Sequence, residues 1–275
     1  MNLSVLMRAI IINEMATFLF DKIVFGPVKS RRLGVSLGIN LLPVNRKVCN
    51  FNCIYCECGW TSKNINAAKE PLPSRKEVYD ALDAKLASMK LNNQPPDVIT
   101  YAGNGEPTLH PEFPGIIDDS IMLRDRYFPE AKIAVLSNST SIAKPEIRKA
   151  LLKVDSNILK LDSAFDLTVK IHNQPRVNLK VEELIKNLEG LKGSLIIQTL
   201  FLRGTFEGKV IDNTTPEEIS AWLKAVERIR PSEVMIYTIS RDTPEGGELH
   251  KVPLSELNRI ASLVNELGIK TQVSG

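Results

Sequence analysis

The chain has no cysteine outside one short segment: Cys49, Cys53, Cys56 and Cys58 are the only four in 275 residues. A disulfide framework scatters its cysteines to staple distant loops and belongs to small secreted domains, so that class is excluded. Histidine is scarce, with His110, His172 and His250 all remote from the cysteines, and no Cys/His zinc pairing is spelled out. No hydrophobic run stands clear of charge. The apolar opening MNLSVLMRAIIINEMATFLF is broken by Arg8, Asn13 and Glu14, short of the roughly 20 residues a membrane span needs. It lacks the leading basic region and small-residue cleavage site of a signal peptide. The reading is a cytoplasmic chain without a membrane span, with Met15 as an alternative start. A net charge of +3 argues neither for nor against a nucleic-acid partner.

What is present is an ordinary globular balance, 43% hydrophobic and 24% charged, in a chain long enough for one large α/β core. Apolar runs at 35–42, 98–101, 133–136, 158–161, 195–202 and 234–239 read as strands buried on both faces of a parallel sheet. Between them, Val181, Leu184, Ile185, Leu188 and Leu191 fall on one helical face, as do Ile219, Trp222, Leu223, Val226 and Ile229. Thr215-Pro216-Glu217-Glu218 predicts a capping box with proline at the first helical position, and Ser74 with Glu77 predicts another for a helix running to about Lys90. A last helix near 255–267 precedes a strand-like 270–273. Six β-then-α units predict an α/β fold, a partial (β/α)6 TIM-like barrel of parallel strands with outer helices. Residues 1–24 form an N-terminal extension to a core over 25–275. Functional residues are then expected just after the C-terminal ends of strands.

The cysteines follow the first strand as Cys49-Asn-Phe-Asn-Cys53-Ile-Tyr-Cys56-Glu-Cys58. Thiolates are soft anionic donors, and short spacing lets one loop wrap a metal centre. Zinc wants four ligands, usually as two separated pairs, and Cys58 at C-x-C from Cys56 would strain a four-thiolate loop. Three thiolates on a cubane cluster leave one iron open to an external ligand. A non-catalytic zinc or cluster-bearing module is the competing reading.

The C-x3-C-x2-C spacing, with Tyr55 before the last cysteine, resembles the signature of the radical S-adenosylmethionine (SAM) superfamily. The opening FGPVKSRRLGVSLGINLLPVNRKVCNFNCIYC is similar to the group related to the wyosine-synthesizing tRNA enzymes, and the resemblance runs from about Phe25 to the C-terminus. Gly103-Asn104-Gly105-Glu106-Pro107 resembles that superfamily's GGEP element and falls after the second predicted strand. The resemblance implies a [4Fe–4S] cluster on Cys49, Cys53 and Cys56, with SAM on the open iron. The Gly103–Pro107 turn would orient SAM, Tyr55 would pack near adenine, and Asn138 and Asp162 would meet its carboxylate or ribose. It implies reductive cleavage of SAM to a 5′-deoxyadenosyl radical that abstracts hydrogen, fed by an electron donor such as flavodoxin or ferredoxin, with tRNA or other RNA as a candidate substrate. Wyosine-forming enzymes carry further cysteines ahead of this motif; none exists here, so the implication is a single cluster. An activase acting on a partner protein is the alternative within the superfamily.

Other residues carry weaker signals. Lys29, Arg31 and Arg32 form a basic cluster that reads as a solvated or structural loop before a phosphate site. His110 reads as a turn residue, Cys58 as a spare thiol, Gln198 as a polar residue within a strand, and Arg241 as a substrate-facing candidate after the last strand.

Overall fold

The computed structural model describes residues 18–30, 32–61, 71–240 and 248–275. Residues with β-branched and large apolar side chains build the wall of a half-barrel. Its strands are β1 (Val24–Ser30), β2 (Gly34–Ile39), β3 (Val98–Tyr101), β4 (Lys132–Ser137), β5 (Ser156–Lys160), β6 (Ile196–Phe206), β8 (Glu233–Thr238) and β10 (Lys270–Ser274), side by side in that order. Each from β2 onward is parallel to its neighbour, while β1 is antiparallel to β2. The order never reverses. Right-handed crossovers taken always in one direction put the helices on one face. These are α1 (Arg75–Leu91), α2 (Phe113–Tyr127), α3 (Pro145–Leu151), α4 (Asp166–His172), α5 (Val181–Glu189), α6 (Pro216–Ile229) and α7 (Leu254–Glu266). The predicted partial barrel is the observed fold, with β10 adding one parallel strand past the six.

The strands are apolar on both faces low in the barrel only. Ile99, Ile133, Val135, Leu159, Ile197, Val234 and Ile236 point outward into the main core beneath the helices. Their inward neighbours Val98, Ala134, Ile158 and Met235 form a small apolar floor with Leu33, Leu136 and Ile196. One pleat higher the inner face turns polar, with Thr100, Lys160, Gln198 and Tyr237, of which the last three line a cavity. The period of two that buries the outer face is what carries these groups inward.

Local signals read from sequence hold in part. Ser74 accepts from Glu77 N and Glu77 returns to the Ser74 backbone, a full capping box on α1. On α6 Thr215 accepts from Glu218 N, with Pro216 in the first turn. The Glu218 carboxylate does not return to the cap; it is taken by the hydroxyls of Ser163, at 2.6 Å, and Thr168. Three elements were not expected. β1 pairs along β2, and β7 (Lys209–Asp212) and β9 (Leu249–Lys251) flank the upper end of an extended β6. Described residues ahead of β1 are docked too: Phe20 stacks on Phe25, and Phe18 N donates to Glu57 O at 2.9 Å. Met15 lies outside the described residues. No described helix is long and apolar enough to cross a membrane.

Leu82 is fully buried between α1 and the wall. Leu82→Ala is expected to lower the unfolding free energy by about 2–5 kcal/mol in denaturant titration, and an unchanged midpoint would contradict this packing.

Candidate active site at the mouth of the barrel

At the C-terminal ends of the parallel strands lies a cavity of about 330 Å³. Lys47, Cys49, Cys53, Tyr55, Cys56 and Cys58 line it from the segment after β2; Gly103, Gly105 and Glu106 do so after β3, and Ser137 and Asn138 close β4. Lys160, Gln198 and Tyr237 rise from its inner wall.

The cysteine segment is held from two sides by backbone. On one side Asn52 N donates to Asn173 O at 2.9 Å, Ile54 N to His172 O at 2.9 Å, and Arg176 N to Asn50 O at 2.8 Å, just past α4. On the other, Val48 pairs as a parallel bridge with Gly105, through Val48 N to Asn104 O at 2.8 Å and Glu106 N to Val48 O at 3.1 Å. Gly105 has φ +139°, and a Cβ there would stand 1.8 Å from the Val48 carbonyl oxygen. Only glycine fits this contact.

Polar hydrogens are aimed at the sulfurs. Phe51 N lies 3.4 Å and Asn138 Nδ2 3.7 Å from Cys49 Sγ, and Asn173 Nδ2 lies 3.5 Å from Cys53 Sγ. Burial pulls the Lys47 pKa down, but Cys56, Cys53 and Cys49 outweigh it and leave it raised, and its Nζ is anchored on Gly59 O at 2.9 Å. Burial, with the Glu106 carboxylate, pushes Cys49 up to about 12, and burial raises Cys53. A hydrogen bond from Cys58 holds Cys56 down, at about 5, while the same contact pushes Cys58 up. The Cys58 thiol also lies 3.4 Å from Gly103 O. That places it beside Cys56 and against the turn after β3.

Among the described residues, no three His, Cys, Asp or Glu side chains are arranged around a single ion. Four thiols on one cavity, with N–H donors and an ammonium turned toward them, fit the larger anionic body of an iron–sulfur cluster, whose potential is tuned by such hydrogen bonds and charges.

Not every expected ligand faces this space. Glu106 lines the cavity, yet its carboxylate caps the turn at Pro107–Leu109 and accepts from Thr108 N at 3.1 Å, Thr108 Oγ1 at 2.6 Å and Asn138 N at 2.6 Å; burial raises its pKa. Asn104 is turned away: its amide clamps Phe20 O at 2.9 Å and Pro43 O at 2.8 Å and accepts from Phe20 N. Pro107 is buried in the turn behind the cavity. Asp162, expected as a ribose ligand, instead accepts from the Tyr55 hydroxyl, Asn173 Nδ2 at 2.7 Å, Leu200 N at 2.9 Å and Lys160 Nζ at 3.4 Å. Its side chain is fully buried and has no acceptor to spare. It holds Tyr55, whose pKa is driven well up by burial and by this carboxylate.

Lys47, Asn173 and Lys160 were missed by sequence reasoning. Lys160 was within reach, because it lies two residues beyond Ile158 on the inner face; Lys47 and Asn173 gave no signal. His110 is confirmed as a turn residue, with Nε2 on Pro73 O at 2.8 Å. Arg31 and Arg241 lie outside the described residues.

This chain belongs to the radical SAM superfamily, whose family model matches residues 47–212, and the superfamily's cofactors are a [4Fe–4S] cluster and SAM. More particularly, it is 30% identical over 256 residues to a UPF0026 protein of Methanocaldococcus jannaschii, covering 91% of this chain and 74% of that one. A protein named GTPase Obg from Brachyspira hyodysenteriae is 32% identical over 235 residues, 84% of this chain but 32% of its own length. The chain thus spans about a third of that relative. A solved structure of TYW1 with a lysine–pyruvate adduct superposes with a TM-score of 0.57 at 17% identity, over 84% of this chain and 73% of that one, a likeness of fold.

Gly105→Ala should displace the Val48 carbonyl and with it Cys49, so the variant should retain less iron after anaerobic reconstitution and melt lower; equal iron content would contradict the contact. Lys47→Gln should move the cluster potential to more negative values, on the order of tens of millivolts, because a nearby cation favours the added electron. A redox titration followed by electron paramagnetic resonance measures it.

Proposed function

We propose that this chain is a single-cluster radical SAM enzyme in which Cys49, Cys53 and Cys56 hold the cluster and SAM lies along the Gly103–Glu106 turn and Asn138. When bound, the cluster and SAM supply a 5′-deoxyadenosyl radical that abstracts hydrogen from a substrate. The rest is done by this chain's own groups. The Val48–Gly105 bridge keeps the cysteine segment and the turn in register, so that donor loop and cofactor cradle move as one. Asn138 joins Cys49 to Asn50, with its Nδ2 on Asn50 Oδ1 at 2.6 Å. Asp162 and Asn173 orient Tyr55 against the cavity, and the apolar cluster of Phe51, Ile54, Leu200, Leu202 and Phe206 excludes water behind it.

The observation that carries this reading is the convergence of three thiols, the amide donors aimed at two of them, and the Gly103–Glu106 turn on one cavity at the barrel mouth. A small electron-transfer protein such as flavodoxin or ferredoxin fits as reductant, and a cytoplasmic location suits reduced thiols. RNA base modification is the finer reading, resting on the resemblance of residues 25–56 to the wyosine-related group. Lysine–pyruvate chemistry of the kind named for TYW1 is not assigned.

Anaerobic reconstitution tests the proposal. A brown protein with about four irons that forms 5′-deoxyadenosine from SAM under reductant is expected, with both lost in Cys53→Ala. Colourless protein holding stoichiometric zinc and inert toward SAM would overturn it.

A further inference from the structure

One charged group in the cavity is given no role in the cluster and SAM site proposed above. Arg32 stands in the turn between β1 and β2, at the bottom of the barrel, where Gln272 Nε2 donates to its backbone carbonyl at 3.1 Å. It lines both the upper cavity and a lower one beneath the apolar floor. Its guanidinium reaches upward and lies 4.6 Å from the centroid of the Tyr237 ring. Its NH1 is buried and has no hydrogen-bond partner among the described residues.

A guanidinium stays charged at any physiological pH, and burying one without an anion is unfavourable. The Tyr237 ring offsets part of that cost but leaves NH1 unmet. In the upper cavity Asp162 is spent on Tyr55, Asn173, Leu200 and Lys160, and Glu106 on Thr108 and Asn138; Asp97, Glu130 and Glu233 line the lower cavity without an ion pair to the guanidinium. Lys160 is itself satisfied by Asp162 and by the Tyr237 hydroxyl at 3.1 Å. Arg32 is thus the charge left over, on the wall away from the cysteines.

We propose, on the basis that the cavity is a radical SAM active site, that Arg32 is a substrate-binding residue. It receives a carboxylate or phosphate group of the substrate, with Tyr237 as the platform that fixes the guanidinium plane. A guanidinium lying over a ring keeps N–H donors free, and such paired donors suit two oxygens of one anion. The hydrogen to be abstracted then lies between this anchor and the cysteine side of the cavity.

The test uses the full chain, reconstituted and with SAM bound, in low-salt buffer, and compares wild type with Arg32→Met and Arg32→Lys. Thermal melting is followed as inorganic phosphate or acetate is added, with chloride as control. At least one of the two anions should raise the wild-type melting temperature, Arg32→Met should lose that response, and Arg32→Lys should keep part of it. Roughly tenfold or weaker affinity in Arg32→Met is expected for a charged hydrogen-bonded contact. A response to phosphate alone identifies a phosphorylated substrate, and one to acetate alone a carboxylate. In anion-free buffer Arg32→Met should melt no lower than wild type, since it removes an unmatched buried charge.

Equal responses in wild type and Arg32→Met, or a lower melting temperature for both variants with no anion response in wild type, would overturn the proposal in favour of a structural stack. Loss of SAM binding in Arg32→Met would overturn it by giving the guanidinium to SAM. Wild type that forms 5′-deoxyadenosine without any Arg32-dependent anion response would leave the proposed function intact while removing this site.

Discussion

The packing of the Val48 carbonyl directly against Gly105 is the constraint on which the site depends. It ties the segment that carries the cysteines to the turn after β3, through two backbone hydrogen bonds and with no room for a side chain between them. Either piece alone is a loop of several polar residues with no reason to hold a fixed shape. Joined, they form an isolated parallel bridge beyond the end of the β2–β3 ladder, which ties the cysteine segment to the turn after β3. Asn104 strengthens the joint from behind by binding the chain at Phe20 and Pro43, which is why a residue inside the cofactor-like turn faces away from the cavity.

The barrel sets what this joint looks down upon. Its inner face is apolar at the level of Val98, Ala134 and Ile158 and polar at the level of Lys160, Gln198 and Tyr237, a change that occurs within one pleat of the strands. A molecule held at the mouth would meet polar groups beneath it and an apolar floor below those. Lys160 and Asp162 neutralise each other in this layer, Tyr55 is locked by Asp162, and Arg32 enters from below with NH1 unpartnered among the described residues. On the proposed reading, orientation at the top and charge recognition at the bottom fall to different elements.

Much of this was legible in the residues because it is local. Strand positions follow from short apolar runs, α1 from Ser74 and Glu77, and the gathering of the cysteines on one segment from their spacing. What was not legible depends on partners distant in sequence. Asp162 reads as a free carboxylate at a strand end until Tyr55, 107 residues away, is folded onto it. Glu218 reads as a cap residue until Ser163 and Thr168 claim it. The strands β7 and β9 form only because β6 overruns the sheet and offers them an edge. Arg32 looks like one of three basic loop residues, and nothing before folding shows that its side chain turns inward to Tyr237.

The claim at the centre is that three cysteines hold a cluster whose remaining iron accepts SAM. Electron paramagnetic resonance of the anaerobically reconstituted, reduced protein tests this most directly, recorded before and after SAM is added. The account predicts the signal of a reduced [4Fe–4S] cluster that changes when SAM binds, is retained in Cys58→Ala and is lost in Cys53→Ala. A cluster spectrum indifferent to SAM, or one that requires Cys58 as a fourth ligand, would contradict it.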